Sequence, residues 1–139
     1  MNIDKRLKEL GIQLPDAPSP VGSYVPYVLS GSLLFISGQL PTVKGQLAYQ
    51  GKVPEKVSVE DARDCAKVCF LNAMAHAKDA LDSLDKIVRI VRMTGYVASS
   101  TGFTEQATVM NGASDLSFSI FGEIGKHARL AVGVYELPL

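Results

Sequence analysis

The sequence predicts an α+β fold in which a β-sheet carries two helices packed on one face. Three observations predict it. Apolar residues recur at three- and four-residue steps over the long segment 58–81, which is the spacing of an amphipathic helix, and a second helical segment follows at about 103–121. Short β-rich runs come first as a pair and then singly after each of those segments, so the order after the leader is β-β-α-β-α-β. The length of 139 residues fits one domain, 1–139. Helices on one face leave the other face of the sheet bare, and a half-covered sheet of this size usually hides its open face in an oligomer.

The elements follow in order. Asn2 is placed to cap a short helix through Leu10, and Gly11 to end it. Leu14 to Pro20 holds three of the seven prolines and reads as extended connection. Tyr24–Leu29 and Leu33–Ser37 are β-rich and joined by Ser30-Gly31-Ser32, a hairpin pattern. Pro41 to Pro54, with Gly45 and Gly51, reads as a loop. Ser58 opens the longest helix, whose stripe is Val59, Ala62, Ala66, Phe70, Ala73, Ala77 and Leu81. Its small side chains let it lie close to a sheet. Asp85 to Val97 reads as one long strand, Phe103 to Phe121 as the second helix, and Ala128 to Tyr135 as the last strand.

Composition narrows the function classes. Hydrophobic residues at 47% and charged residues at 20% are the balance of a soluble globular protein. The richest apolar run, Val28–Ser37, is interrupted by Ser30, Gly31 and Ser32, far short of the roughly 18 residues of a membrane span. The first residues lead into charge rather than a signal-peptide core, so a cytoplasmic location is expected and a membrane partner is not. Lys plus Arg is 14 and Asp plus Glu is 14, giving no net charge. There is no Trp and no basic stripe, which argues against nucleic acid as a partner. Cys65 and Cys69 point in parallel from one helix face, poorly placed for a disulfide. His76 and His127 lie too far apart in sequence to suggest a zinc site with them, so the cysteines read as small buried hydrophobes in a reduced compartment.

Several residues stand out as candidates for chemistry. Arg129 sits in the apolar strand 128–134. A guanidinium is costly to bury without an anion, and its planar fork matches a carboxylate in bidentate fashion. Two readings stand side by side: a ligand carboxylate, or a structural ion pair with Glu123 or a neighbouring subunit. Ser37-Gly38-Gln39 ends a strand without the Gly that a nucleophile elbow requires, so Ser37 would offer a hydroxyl and Gly38 a backbone open to close approach. A plain strand-end turn is the alternative. Gly122-Glu123-Ile124-Gly125-Lys126 lacks the spacing of a phosphate loop and carries a negative charge where nucleic-acid backbone would lie, so it is a helix-to-strand turn. Asn72 lies away from the alanine stripe, between Val68 and His76, and reads as solvated or as part of a site. His127 projects from the same side of the strand as Arg129, where an imidazole would suit proton transfer or would be passive.

Four of these segments together resemble the RidA/YjgF family, also known as L-PSP endoribonuclease-like proteins. They are Pro20-Val21-Gly22-Ser23-Tyr24, Ser37-Gly38-Gln39, Asn72 within Phe70-Leu71-Asn72-Ala73, and Ala128-Arg129 followed by Leu137-Pro138. The resemblance implies a chorismate-mutase-like fold of the bacillus type, a homotrimer, and clefts between subunits. It implies hydrolysis of reactive 2-imino or enamine acids to 2-oxo acids and ammonia, with no metal and no cofactor. Arg129 would bind the substrate carboxylate, Ser37 and Gly38 would line the catalytic centre, and Tyr24 and Asn72 would shape it. Ala131 stands where the deaminase branch has Cys, and His127 where it has Pro. A further strand carrying a water-positioning Glu has no counterpart among these residues. Three functions are therefore carried forward. The first is the imine deaminase, and the second a non-catalytic trimer that binds a small carboxylate metabolite or regulates a partner. The third is an endoribonuclease, which the neutral charge and the missing acid–base pair disfavour.

Overall fold

A computed structural model of the protein describes residues 1–20 and 22–139; Val21, within the Pro20–Tyr24 segment, lies outside the described residues. Helix α1 spans Ile3–Glu9, and Asn2 caps it by accepting the Lys5 N–H at 2.9 Å. Ile3 and Leu7 are buried, and the Ile3 N–H donates to Asp85 Oδ1 at 2.7 Å, which ties the leader to the body. Strands β1, Tyr27–Ser30, and β2, Leu33–Ile36, form the expected hairpin, with Gly31 at φ 60 in the first turn position.

The stretch read as a loop from Pro41 to Pro54 contains a small antiparallel ladder. Its strands are β3, Thr42–Val43, and β4, Gln46–Leu47. Lys44 and Gly45 turn it, both at positive φ, as the tight hairpin turn requires. A Lys in the first position carries none of the usual turn signal, which is why sequence reading passed over it.

Helix α2 spans Val59–Leu81, capped where Ser58 Oγ accepts the Asp61 N–H at 3.0 Å. Ala62, Ala66, Phe70 and Ala77 of its stripe are buried. The strand expected from Asp85 is shorter than its apolar pattern. Ser83 caps a 3₁₀ turn at Leu84–Lys86, and strand β5 runs only from Arg92 to Ala98. Its partner sets its start: β6, Ala128–Val134, pairs with it in parallel from Arg92 opposite Ala128 to Ala98 opposite Val134. Helix α3, Gln106–Phe121, joins them and begins three residues later than expected, after a turn in which the Phe103 N–H meets the Ser100 carbonyl at 3.1 Å. Gly122–Gly125 is a 3₁₀ turn between α3 and β6.

The described strands form three two-stranded ladders rather than one continuous sheet. Both long helices lie on the same side of them: α2 packs on α3 and on β1, β2 and β3, while α3 packs on β5 and β6. Ile36 and Leu34 turn toward the helices, and so do Met93, Gly95 and Val97. On the other face Val28, Phe35, Tyr96 and Leu130 are large, apolar and exposed. No helix among the described residues is long and apolar enough to cross a membrane.

Candidate functional site

The parallel register sets Arg129 opposite Met93, on the sheet side that faces α3. Asn111 and Ser114 lie three residues apart on α3 and so share one helix face. Arg129 Nη1 donates to Asn111 Oδ1 at 2.8 Å and to Ser114 Oγ at 3.1 Å. Both acceptors are neutral. His127 adds a second tie to the same serine. Its Nδ1 lies 2.7 Å from the Gly125 carbonyl, which can only accept, so Nδ1 carries a proton. In the neutral ring Nε2 is then the acceptor, and the Ser114 hydroxyl donates to it at 3.0 Å.

Ser114, His127 and Arg129 line an open cavity of about 400 Å³ together with Asp115, Phe118 and Lys126. Two of its charges are already matched. Lys126 pairs with Glu123 at 2.9 Å and Asp115 with Arg63 at 3.8 Å. Glu123, one expected partner of Arg129, is thus committed elsewhere. Among the described residues no carboxylate lies within ion-pair distance of Arg129.

Tyr24, Ser37, Gly38 and Asn72 do not line that cavity. Ser37 Oγ donates to the Val25 carbonyl at 2.7 Å, and its N–H meets the Pro26 carbonyl at 2.9 Å, which closes the start of the hairpin. A side chain at Gly38 would meet open space, so its backbone is accessible. Tyr24 is half exposed. Asn72 is not solvated: it is 1% exposed, and its Nδ2 donates to the Leu40 and Thr42 carbonyls at 3.1 and 3.0 Å. It lies off the alanine stripe, but α2 is covered by α3 on one side and by the hairpins on another. His76, one turn on, is buried with it.

Within the chain the structure therefore brings His127 and Arg129 together and leaves the other four candidates apart from them. Sequence reading missed Asn111 and Ser114. Their three-residue spacing on the helix preceding the Arg129 strand was the available signal. Cys65 and Cys69 are free thiols, and burial pushes the Cys69 thiol up to about 12.

Residues 4–139 match the family model described as "YjgF/chorismate mutase-like, putative endoribonuclease". The chain belongs to the YjgF/chorismate mutase-like family. Protein TCP17 of Trypanosoma cruzi is 44% identical over 133 residues, 95% of this chain and 83% of the relative. Among solved structures, Atu1372 of Agrobacterium tumefaciens, described as of unknown function, is 46% identical with a TM-score of 0.89, over 98% of this chain and 83% of that one. A Shewanella oneidensis protein given the same endoribonuclease description is 34% identical with a TM-score of 0.95, over 99% and 91%. The YjgF-type fold of helices on one side of small sheets is thus shared along nearly the whole chain.

Proposed function

We propose that this protein hydrolyses 2-imino or enamine acids to 2-oxo acids and ammonia, with Arg129 holding the substrate carboxylate. The observation that carries this reading is the guanidinium itself: it is fixed by two neutral acceptors, faces a cavity, and has no anion among the described residues. Arg129 is exposed rather than buried, so water can solvate its charge, and a carboxylate would meet it in the geometry the fork favours. A protonated imine is already electrophilic, so holding it beside water needs no covalent nucleophile. Tyr24, Ser37 and Gly38 would reach the cavity from a second copy in a homotrimer closed over the exposed apolar face. Asn72 would act beneath them by holding the loop after Gly38. RNA cleavage fits poorly, because the chain has no net positive charge for a phosphate backbone.

The test couples a serine or threonine dehydratase to this protein and follows the appearance of 2-oxo acid. Arg129→Lys keeps the charge and loses the fork. It should lower turnover, and the affinity for pyruvate or 2-oxobutyrate measured by calorimetry, by roughly 10- to 150-fold, the worth of about 1.5–3 kcal/mol for a charge-assisted hydrogen bond. Ligand binding that Arg129→Lys leaves unchanged would end the case for this anchor. Binding without turnover in the parent would make the protein a carboxylate-capture module instead.

A further inference from the structure

We infer that Ser114 and His127 are the proton-transfer pair of this site, acting on the water that attacks the C=N carbon. This rests on the deaminase reading above and names the base that it lacks.

A serine hydroxyl has one proton and two lone pairs. At Ser114 the proton points to His127 Nε2 and one lone pair accepts from Arg129 Nη1. One acceptor position remains, and Ser114 lines the cavity. A water there would donate to Ser114 Oγ, with His127 behind it as the final acceptor. The imidazole is held for this task. The Gly125 carbonyl that fixes its tautomer also accepts from Ser117 Oγ at 2.8 Å, and both Ser117 and Gly125 are buried. With two donors on it, that carbonyl has no freedom to swing away. The charged groups lining the cavity beside the ring are Asp115 from α3, and Lys126 and Arg129 from its own segment.

The step balances. Water oxygen bonds to the iminium carbon as the C=N π electrons move to nitrogen. The water proton passes to Ser114 while the Ser114 proton passes to Nε2, giving a neutral carbinolamine and an imidazolium. The imidazolium then returns a proton through Ser114 to the amine. The C–N bond breaks, ammonia leaves, and the carbinol O–H closes to C=O as its proton goes to the departing ammonia. The products are a 2-oxo acid and ammonium. Neither residue is consumed.

Two measurements test the pair. Nitrogen-15 NMR of histidine-labelled protein should show the His127 ring protonated at Nδ1 when neutral, with the Nε2 signal shifting in Ser114→Ala. The Nε2-protonated tautomer, or a signal indifferent to Ser114→Ala, would overturn the inference whether or not the protein turns over. With the dehydratase-coupled assay, the parent should lose kcat on acidification through one ionisation. His127→Gln should lack that limb and fall by roughly 10²- to 10⁴-fold in kcat with little change in KM. An active His127→Gln enzyme with the parental pH profile would sink the pair and leave the deaminase reading standing. No turnover in the parent would sink that reading, and the NMR result would still decide the geometry of the pair. Should His127→Gln fail to fold, Ser114→Ala reads the same kcat and KM split.

Discussion

Gly112 of α3 lies directly against the backbone carbonyl of Arg63 in α2, with no room for a side chain between them. The two long helices meet at this point without an intervening layer, which sets how closely they approach. The same helix carries Asn111 and Ser114, which hold Arg129. Gly112→Ala places a methyl on that carbonyl. Alanine improves helix propensity by about 1 kcal/mol, but overpacking against backbone typically costs about 1–3 kcal/mol and cannot be relieved by a rotamer change. The variant should be less stable in urea unfolding and should bind 2-oxo acids more weakly, because α3 must move outward.

Asn72 holds two carbonyls of one loop, those of Leu40 and Thr42. Asn72→Leu fits the space but leaves both carbonyls without their buried donor. Each lost partner costs about 1–3 kcal/mol. Urea unfolding should report a loss of roughly 2–6 kcal/mol for the two carbonyls together. Hydrogen exchange should quicken in the β3–β4 hairpin and leave α1 unchanged.

His76 is buried, and its Nδ1 has no hydrogen-bond partner among the described residues. Burial holds its pKa below the ordinary imidazole value, against a smaller opposite pull from Asp79. The folded value being the lower, the unfolded chain takes up the proton first as pH falls. Stability from this group is therefore complete above about 6.5 and is lost on acidification toward the folded value. Its slope is at most about 1.4 kcal/mol per pH unit. Melts of the parent should fall through this window while those of His76→Gln stay level relative to it. Parallel pH dependence in the two proteins would remove His76 as the cause.

Val28, Phe35, Tyr96 and Leu130 present a bare apolar face opposite the helices. Burying such a face in a homotrimer predicts a mass of three chains by light scattering at micromolar concentration. Phe35→Lys should shift that mass toward the monomer. A parent that is a stable monomer would remove the assembly and the cleft between subunits together.

The elements legible in the sequence were those specified locally. The caps Asn2 and Ser58, the alanine stripe of α2 and the Gly31 turn each act within a few residues, and each stands where the pattern put it. The start of β5, by contrast, was set from a distance. β5 begins at Arg92 because β6 begins at Ala128, a pairing across 36 residues that no local apolar pattern encodes. The same distinction explains the site. Arg129 and His127 announced themselves by chemical type, whereas Asn111 and Ser114 are ordinary helix residues until the parallel register sets them under the strand. Of the two readings of Asn72, the solvated one fails, because an isolated helix shows only one buried stripe and α2 has two.

The two neutral bonds on Arg129 Nη1 have a consequence for the speed and economy of recognition. A free arginine samples many rotamers, and freezing a long side chain typically costs on the order of 1.5–2 kcal/mol of conformational entropy. Here Asn111 and Ser114 hold the side chain before any ligand arrives, so that ordering belongs to folding and not to the encounter. On the proposed reading an incoming carboxylate would meet an oriented fork. On the same reading this pre-ordering lowers the cost of binding, so loss of either neutral acceptor should weaken carboxylate affinity.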